Sequence, residues 1–233
     1  QRHPYEPCFL YENGIMPIAS YPIMGAIWYQ GESNAHNVEL HEVIFPTLID
    51  SWRKTWDNPE MPFYFVQLSS INRPSWPHFR DSQRRLAGEI PNCDFAVSSD
   101  KGDPWDVHPK DKAPVGERLA RLALNQTYGM SHVAQHGPTP KRMFSFNGRT
   151  VIEFENATEL NTGDGNALRG LEVADKTGSF SEVDVEKEVK FKGNRIIIER
   201  EAHRVRYAWK PYTDANLVNE AGLPASTFEI EVK

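Results

Sequence analysis

Cysteine is scarce in this chain: Cys8 and Cys93 are the two among 233 residues. A disulfide framework is therefore excluded as the source of stability. Cys93 heads an apolar run, Cys93-Asp94-Phe95-Ala96-Val97, and is expected to be a small buried hydrophobe. No apolar run approaches the length of a membrane span, so no membrane-embedded role is expected. Positive charge is short as well. Lys and Arg number 26 against 32 Asp and Glu, for a formal net charge of −6. Nucleic acid is a poor match as a partner for such a surface. There is no Walker sequence and no glycine fingerprint for a dinucleotide. His36 and His41 are five apart, and His132 and His136 lack a nearby acidic ligand, so neither a metal nor an organic cofactor is expected. The opening Gln1-Arg2-His3-Pro4 is not a charged n-region followed by an apolar core, and no initiator Met is present. The expectation is a processed or truncated piece.

What is present is ordinary for a soluble globular protein: 39% hydrophobic and 25% charged residues. The length suffices for one large domain or two modest ones. Aromatic residues are generous at 11%, with six Trp. Aromatic faces suit sugar rings, although most Trp fill cores.

Residues 1–136 alternate strand-like and helix-like segments. Ile23–Tyr29, Phe63–Leu68 and Asp94–Ser98 read as strands. Asn37–Trp56, Asp81–Ile90 and Lys110–Tyr128 read as helices, the first with a break or kink expected at Pro46 and the last with Gly129 as a C-cap. This alternation implies a parallel sheet with helices on both faces. After Gly137-Pro138-Thr139-Pro140 the pattern changes. Residues 137–233 show short runs divided by Gly, Asn and Asp, from Thr150–Phe154 through Thr227–Val232, with a hairpin signal at Lys192-Gly193-Asn194. No helix is expected there. This part reads as an antiparallel β-sandwich packed on the first domain.

Two segments carry the candidate chemistry. Asp103-Pro104-Trp105-Asp106-Val107-His108-Pro109 places a histidine near several carboxylates in a Pro-punctuated loop. A neutral imidazole can take a proton from a hydroxyl nucleophile and return it to a leaving group, provided a carboxylate holds the ring. Asp106, Asp103 and Asp100 are all within reach in sequence; the competing reading makes Asp106 a turn cap and His108 a surface residue. The second segment, Gln30-Gly31-Glu32-Ser33-Asn34, ends an apolar run. Gly31 permits a sharp bend, and its neighbours' N–H groups with an amide of Gln30 or Asn34 suit an oxyanion. Glu32 suits a histidine or a sugar hydroxyl. Ser33 or Asn34 also fits as a helix cap. Gly31-Glu32-Ser33-Asn34-Ala35 is close to a nucleophile elbow, which makes Ser33 a candidate nucleophile. Ser69, Ser70, Ser98 and Ser99 also lie at strand ends.

At these residues the chain resembles the sialate O-acetylesterases of the SGNH hydrolase superfamily. The resemblance is carried by Gly25-Ala26-Ile27-Trp28-Tyr29-Gln30-Gly31-Glu32-Ser33-Asn34-Ala35, by Pro62-Phe63-Tyr64-Phe65-Val66-Gln67-Leu68, by the Asp103–Lys110 loop running into Val115-Gly116-Glu117-Arg118-Leu119, and by the tail from Val205 to Ala225. It implies an α/β fold, a three-layer α/β/α flavodoxin-like domain partial at its N-terminus and then the β-sandwich. It implies a serine esterase that removes O-acetyl groups from sugars, sialic acid above all, without metal or organic cofactor. His108 becomes general base and acid, and Gln30, Gly31, Glu32 and Asn34 fall on the oxyanion and substrate side. The family's nucleophilic serine lies in an earlier Gly-Gln-Ser-Asn-like block that does not precede residue 22, so a nucleophile outside these residues is expected, with Ser33 as the alternative. The superfamily commonly sets its Asp three residues before the His. Trp105 stands there, and Asp106 is preferred over Asp103 and Glu32 for the carboxylate role.

The sugar is left open by the residues: an acetylxylan or other polysaccharide deacetylase, or a carbohydrate-binding protein without catalysis, are the rival readings. A missing strand would leave an apolar seam, so an N-terminal companion segment or a homo-oligomer is expected to cover it. The substrate class points to the periplasm or the cell exterior.

Overall fold

The computed structural model describes residue 3 and residues 6–232. The first unit is built on three parallel strands, β1 (Ala26–Trp28), β2 (Phe63–Val66) and β3 (Cys93–Ala96), in the order β1-β2-β3. Between them run α1 (Val38–Thr55) and α2 (Trp76–Glu89); α3 (Ala113–Leu122) follows and continues as a wider turn through Ala123–Thr127. All four residues of β2 are buried. Their alternation explains the layers. Phe63 and Phe65 join Phe45 and Ile49 of α1 and Leu86 of α2 in one cluster. Tyr64 and Val66 face the other way, onto Val115, Leu119 and Leu122 of α3. A central parallel strand buried on both sides reads as an unbroken apolar run for this reason.

Several local expectations are corrected. Pro46 lies inside α1 without ending it. It removes one N–H from the helix ladder, but Phe45 and Ile49 are buried on the sheet on either side of it, and the Thr47 hydroxyl donates to the Val43 carbonyl at 2.8 Å. The helix cap is Asn37, whose side chain accepts from the Leu40 N–H, rather than Ser33 or Asn34. Helix α2 begins at Trp76, before the expected Asp81, because Pro77 sits in its first turn where a missing N–H is harmless. Gly129 does take the left-handed conformation, with φ +69°, just past the end of the α3 extension.

The two edges of this sheet differ. Beside β3, the Asp94 carboxylate accepts from Gln126 and pairs with Nε2 of His136 at 2.9 Å, which holds the following chain along that edge. Strand β1 pairs with β2 alone among the described residues. Its Ile27 is 69% exposed, and Met24 just before it is 61% exposed.

The second unit is antiparallel. Strands β4 (Thr139–Phe146), β5 (Arg149–Glu155), β6 (Leu160–Thr162), β7 (Leu171–Ala174), β8 (Phe180–Glu182), β9 (Val189–Lys192), β10 (Arg195–Ile198), β11 (Arg204–Tyr207), β12 (Leu217–Asn219) and β13 (Phe228–Glu231) form sheets in the orders β4-β5-β10-β9 and β13-β11-β7-β8, with β12-β6 as a two-stranded ribbon. The β9–β10 hairpin turns through Gly193-Asn194, with Gly193 at φ +56°. A one-turn helix, Val185–Glu188, interrupts a region in which none is expected. Strand β4 escapes a periodicity reading because it opens on Pro140, Lys141 and Arg142 and shifts register between Pro140 and Arg142. Inward residues of the two large sheets, among them Ile152, Phe154, Ile196, Val205, Tyr207 and Phe228, make one core.

The units are joined by a buried cation. The Arg80 side chain of α2 is inaccessible to solvent and donates to the carbonyls of Ala208, Lys210 and Pro211 at 2.8–2.9 Å and to the Thr227 hydroxyl at 2.8 Å. Beside it the Gln67 amide bridges the Arg80 carbonyl and Ser226. Burial pushes the Arg80 guanidinium down to about 9, still charged at neutral pH.

Candidate active site

The carboxyl ends of parallel strands are where open α/β sheets place ligands. Here the turn after β1, the serines after β2 and β3, and the loop of residues 102–111 all leave from that end. The serines are structural. Ser70 donates to the Ser99 carbonyl and Ser98 to the Gln67 carbonyl, each at 2.7 Å, which ties the ends of β2 and β3 together. Arg118 of α3 completes the tie, with a two-pronged bond to Asp100 at 2.6 and 2.7 Å and a third to the Val97 carbonyl. Asp100 is thus committed to Arg118 and not to the histidine.

The histidine loop is clamped along its length. At its start, a side chain on Gly102 would lie 2.0 Å from the Ser70 carbonyl oxygen, so only glycine fits. The Pro104 carbonyl accepts from the Asn72 N–H. Asp103 accepts from the N–H groups of Trp105 and Asp106 through Oδ1, which makes it the cap of a local turn. Val107 packs inward on the cluster of Ala35, Leu68, Ile71, Trp76 and Phe79, and Pro109 is buried. The side chains at 105, 106 and 108 are left facing outward.

His108 Nδ1 lies 3.1 Å from Asp106 Oδ1, and the same oxygen accepts the His108 backbone N–H at 2.9 Å. That backbone bond first, then the ring, holds the Asp106 carboxyl below the usual carboxylate range. An ionised carboxylate only accepts, so Nδ1 is the donor in this bond and Nε2 is the nitrogen left outside it. The turn-cap reading and the catalytic reading of Asp106 therefore describe the same oxygen. The imidazole is 81% exposed.

Gly31 has φ +148°, and a side chain there would meet the Phe79 ring at 3.2 Å. Phe79 and Leu68, which support Gly31, belong to the cluster under Val107. Turn and loop thus rest on one apolar support. The Gly31 N–H donates to Glu32 Oε2 at 3.0 Å, so a carboxylate oxygen occupies that donor. Glu32 accordingly caps its own turn; His108 is bonded to Asp106. Gln30 and Ser33 are exposed and Asn34 half-buried. Ser33 lies in a run of turns well past β1, with α1 starting at Val38, so the sharp strand–serine–helix bend of an elbow is not formed. No serine hydroxyl is hydrogen-bonded to His108 among the described residues. The steric need for Gly102 and the inward anchors Val107 and Pro109 were beyond sequence reasoning; an alternation of apolar and polar residues from 105 to 109 was their one visible trace. Among the described residues no group of three or more His, Cys, Asp or Glu is arranged to hold a metal ion.

A layered α/β unit with an Asp-supported histidine at the carboxyl end of its sheet is an arrangement suited to ester hydrolysis. The family model for carbohydrate esterase, sialic acid-specific acetylesterase, matches residues 8–125, and the chain belongs to that family. Among individual proteins, the sialate O-acetylesterase of Mus musculus is 29% identical over 229 residues, covering 86% of this chain and 42% of the mouse protein. That of Homo sapiens is 33% identical over 162 residues, covering 60% of this chain and 31% of the human one. The crystal structure of a carbohydrate acetylesterase from Xanthomonas citri superposes with a TM-score of 0.85 at 32% identity, covering 96% of this chain and 54% of that one. The chain thus spans less than half the length of the curated relatives it matches.

Proposed function

We propose that this chain carries the histidine–aspartate half of a serine esterase that removes O-acetyl groups from carbohydrate, sialic acid foremost, on an SGNH-type layered domain. The observation that carries the reading is the His108–Asp106 pair, which leaves Nε2 free to exchange a proton. In the complete site a serine Oγ attacks the acetyl carbonyl while Nε2 of His108 takes its proton. The tetrahedral oxyanion is held by backbone N–H groups, that of Gly31 among them once Glu32 turns away. Collapse breaks the acetyl–sugar bond, and the same nitrogen protonates the departing sugar hydroxyl. Water then attacks the acetyl-serine by the reverse route and releases acetate. Asp106 stabilises the imidazolium through both half-reactions.

We assign the serine to a companion segment that adds as a further parallel strand along the free edge of β1. Its support is the exposed Met24 and Ile27 and, separately, an apolar groove of about 890 Å³ that reaches β1 through Trp28 and is walled also by Leu10, Tyr11, Ile15, Leu48 and Trp52. A second copy of this chain is the alternative cover for the same edge. The periplasm or the cell exterior is the setting that fits an O-acetylated glycan.

The test compares this 233-residue chain with a form extended at its N-terminus, on 4-nitrophenyl acetate and O-acetyl sialic acid. Turnover is expected from the extended form, and His108→Ala lowers kcat by roughly 10³–10⁶. Turnover by the short chain that Ser33→Ala removes would overturn the assignment of the serine. Binding of the glycan without hydrolysis by either form would favour a lectin-like protein instead.

A further inference from the structure

Trp105 is the most exposed of the large apolar side chains among the described residues, at 83%. Leaving so large an apolar surface in water forgoes the favourable free energy of burying it. Loose placement does not account for it. The backbone on either side is fixed by the Asp103 turn, by the Pro104–Asn72 hydrogen bond and by the inward-packed Val107. Tryptophans elsewhere in the chain are engaged: Trp28, Trp52 and Trp56 pack on one another, Trp76 donates its indole N–H to the Ser69 carbonyl, and Trp209 stacks under Arg206. Trp105 makes no ring contact among the described residues, and it sits three positions before His108 on the same clamped loop. An outward indole on a fixed backbone has two side-chain torsions to order on binding and offers a flat face.

We propose that Trp105 is the platform on which a pyranose ring of the substrate stacks, fixing its acetylated hydroxyl in reach of His108. The identity of the ligand as a sugar rests on the esterase reading above; the presence of a ring-binding surface does not. The C–H face of a pyranose is apolar enough to cover the indole while its hydroxyls remain hydrated at the rim. Trp105 is on this view a specificity-determining residue and takes no part in proton transfer.

The first measurement needs no catalysis. The 233-residue chain is titrated with the methyl glycoside of N-acetylneuraminic acid, followed by tryptophan fluorescence and calorimetry. Saturable quenching is expected, Trp105→Ala weakens binding by about tenfold, and Trp105→Phe stays within about threefold of the parent. Tyr128→Ala, which removes another exposed aromatic, leaves the affinity unchanged. Absence of a saturable signal in the parent chain, or a Trp105→Ala variant that binds within about twofold of it, overturns the proposal. The second measurement uses the N-terminally extended form. Trp105→Ala is expected to raise KM for O-acetyl sialic acid about tenfold while leaving kcat/KM on 4-nitrophenyl acetate, which has no sugar, unchanged. Equal losses on both substrates would make Trp105 a support for the loop and sink the stacking role. Failure of the esterase reading is distinguishable, because it appears as hydrolysis that survives His108→Ala, whereas the binding titration is blind to it.

Discussion

The two units of this chain solve the burial problem differently. The sandwich closes on a single cluster of seventeen buried apolar residues, whereas the α/β unit divides its interior into clusters of seven, six and five. Among the described residues, twelve of the fifteen exposed large apolar side chains lie before residue 137. An antiparallel sandwich satisfies itself, since each sheet covers the other. A parallel sheet needs helices on both faces and neighbours on both edges, and here one edge has none among the described residues. The unit that carries the candidate chemistry is therefore also the unit with surface left to cover.

The largest expected effect concerns the joint between them. Arg80 satisfies three carbonyls that belong to the sandwich from a helix that belongs to the sheet. Arg80→Met keeps the volume and removes every donor, leaving buried acceptors unpaired at a cost of about 3–5 kcal/mol. In urea, followed by separate probes of the two units, the single transition should split, with the α/β unit melting first. A variant that unfolds in one transition at the parental midpoint would show that the two cores are held together by something other than this cation.

A smaller effect sits within the α/β unit alone. His41 is 3% exposed, packed against the rings of Phe45 and Phe79, and neither ring nitrogen has a hydrogen-bond partner. Burial pushes its pKa down from 6.5 to about 4. The unfolded chain therefore takes up a proton that the folded one refuses between those two values. The contribution of His41 to stability should rise with pH across the window from about 4 to 6.5, by as much as about 3 kcal/mol in total, and be constant on either side of it. His41→Phe removes the slope. Urea midpoints at pH 5 and pH 7.5 check it: a histidine chain whose stability does not fall at pH 5 would mean that His41 has found a partner or water.

The comparison also explains what the sequence made legible. Strand β2 was readable because a central parallel strand is apolar on both faces, and the burial of Cys93 because it heads the apolar run that becomes β3. The pairing of Asp106 with His108 was readable as a possibility, since a loop permits contact two residues apart, but its choice over Asp103 was not. Asp103 caps the turn through the Trp105 and Asp106 N–H groups while Asp106 lies against the ring, a matter of loop geometry without a composition signal. Of the break or kink expected at Pro46 the break does not occur, because Phe45 and Ile49 hold the helix through it. Arg80 was invisible. It falls just before the helix expected at Asp81–Ile90, where an arginine reads as a solvated charge, and only the tertiary approach of residues 208–211 turns it into a buried link.

The smallest expected change in stability is the most informative about the open edge. Ile27 is exposed on the edge strand β1, which pairs on one side alone among the described residues. Ile27→Lys should leave the stability of this chain within about 0.5 kcal/mol of the parent, as for a surface position, because nothing packed on the isoleucine is lost. It should at the same time abolish whatever adds to that edge, since lysine on an edge strand opposes further pairing. Sedimentation of parent and variant separates the covers: a parent dimer that becomes a monomer in Ile27→Lys identifies a second copy, whereas a monomeric parent that captures a synthetic companion strand, and a variant that does not, identifies the added segment. Destabilisation of the isolated chain by several kcal/mol would instead mean that Ile27 is already buried in solution. The α/β unit would then be as closed as the sandwich, and the contrast between the two would disappear.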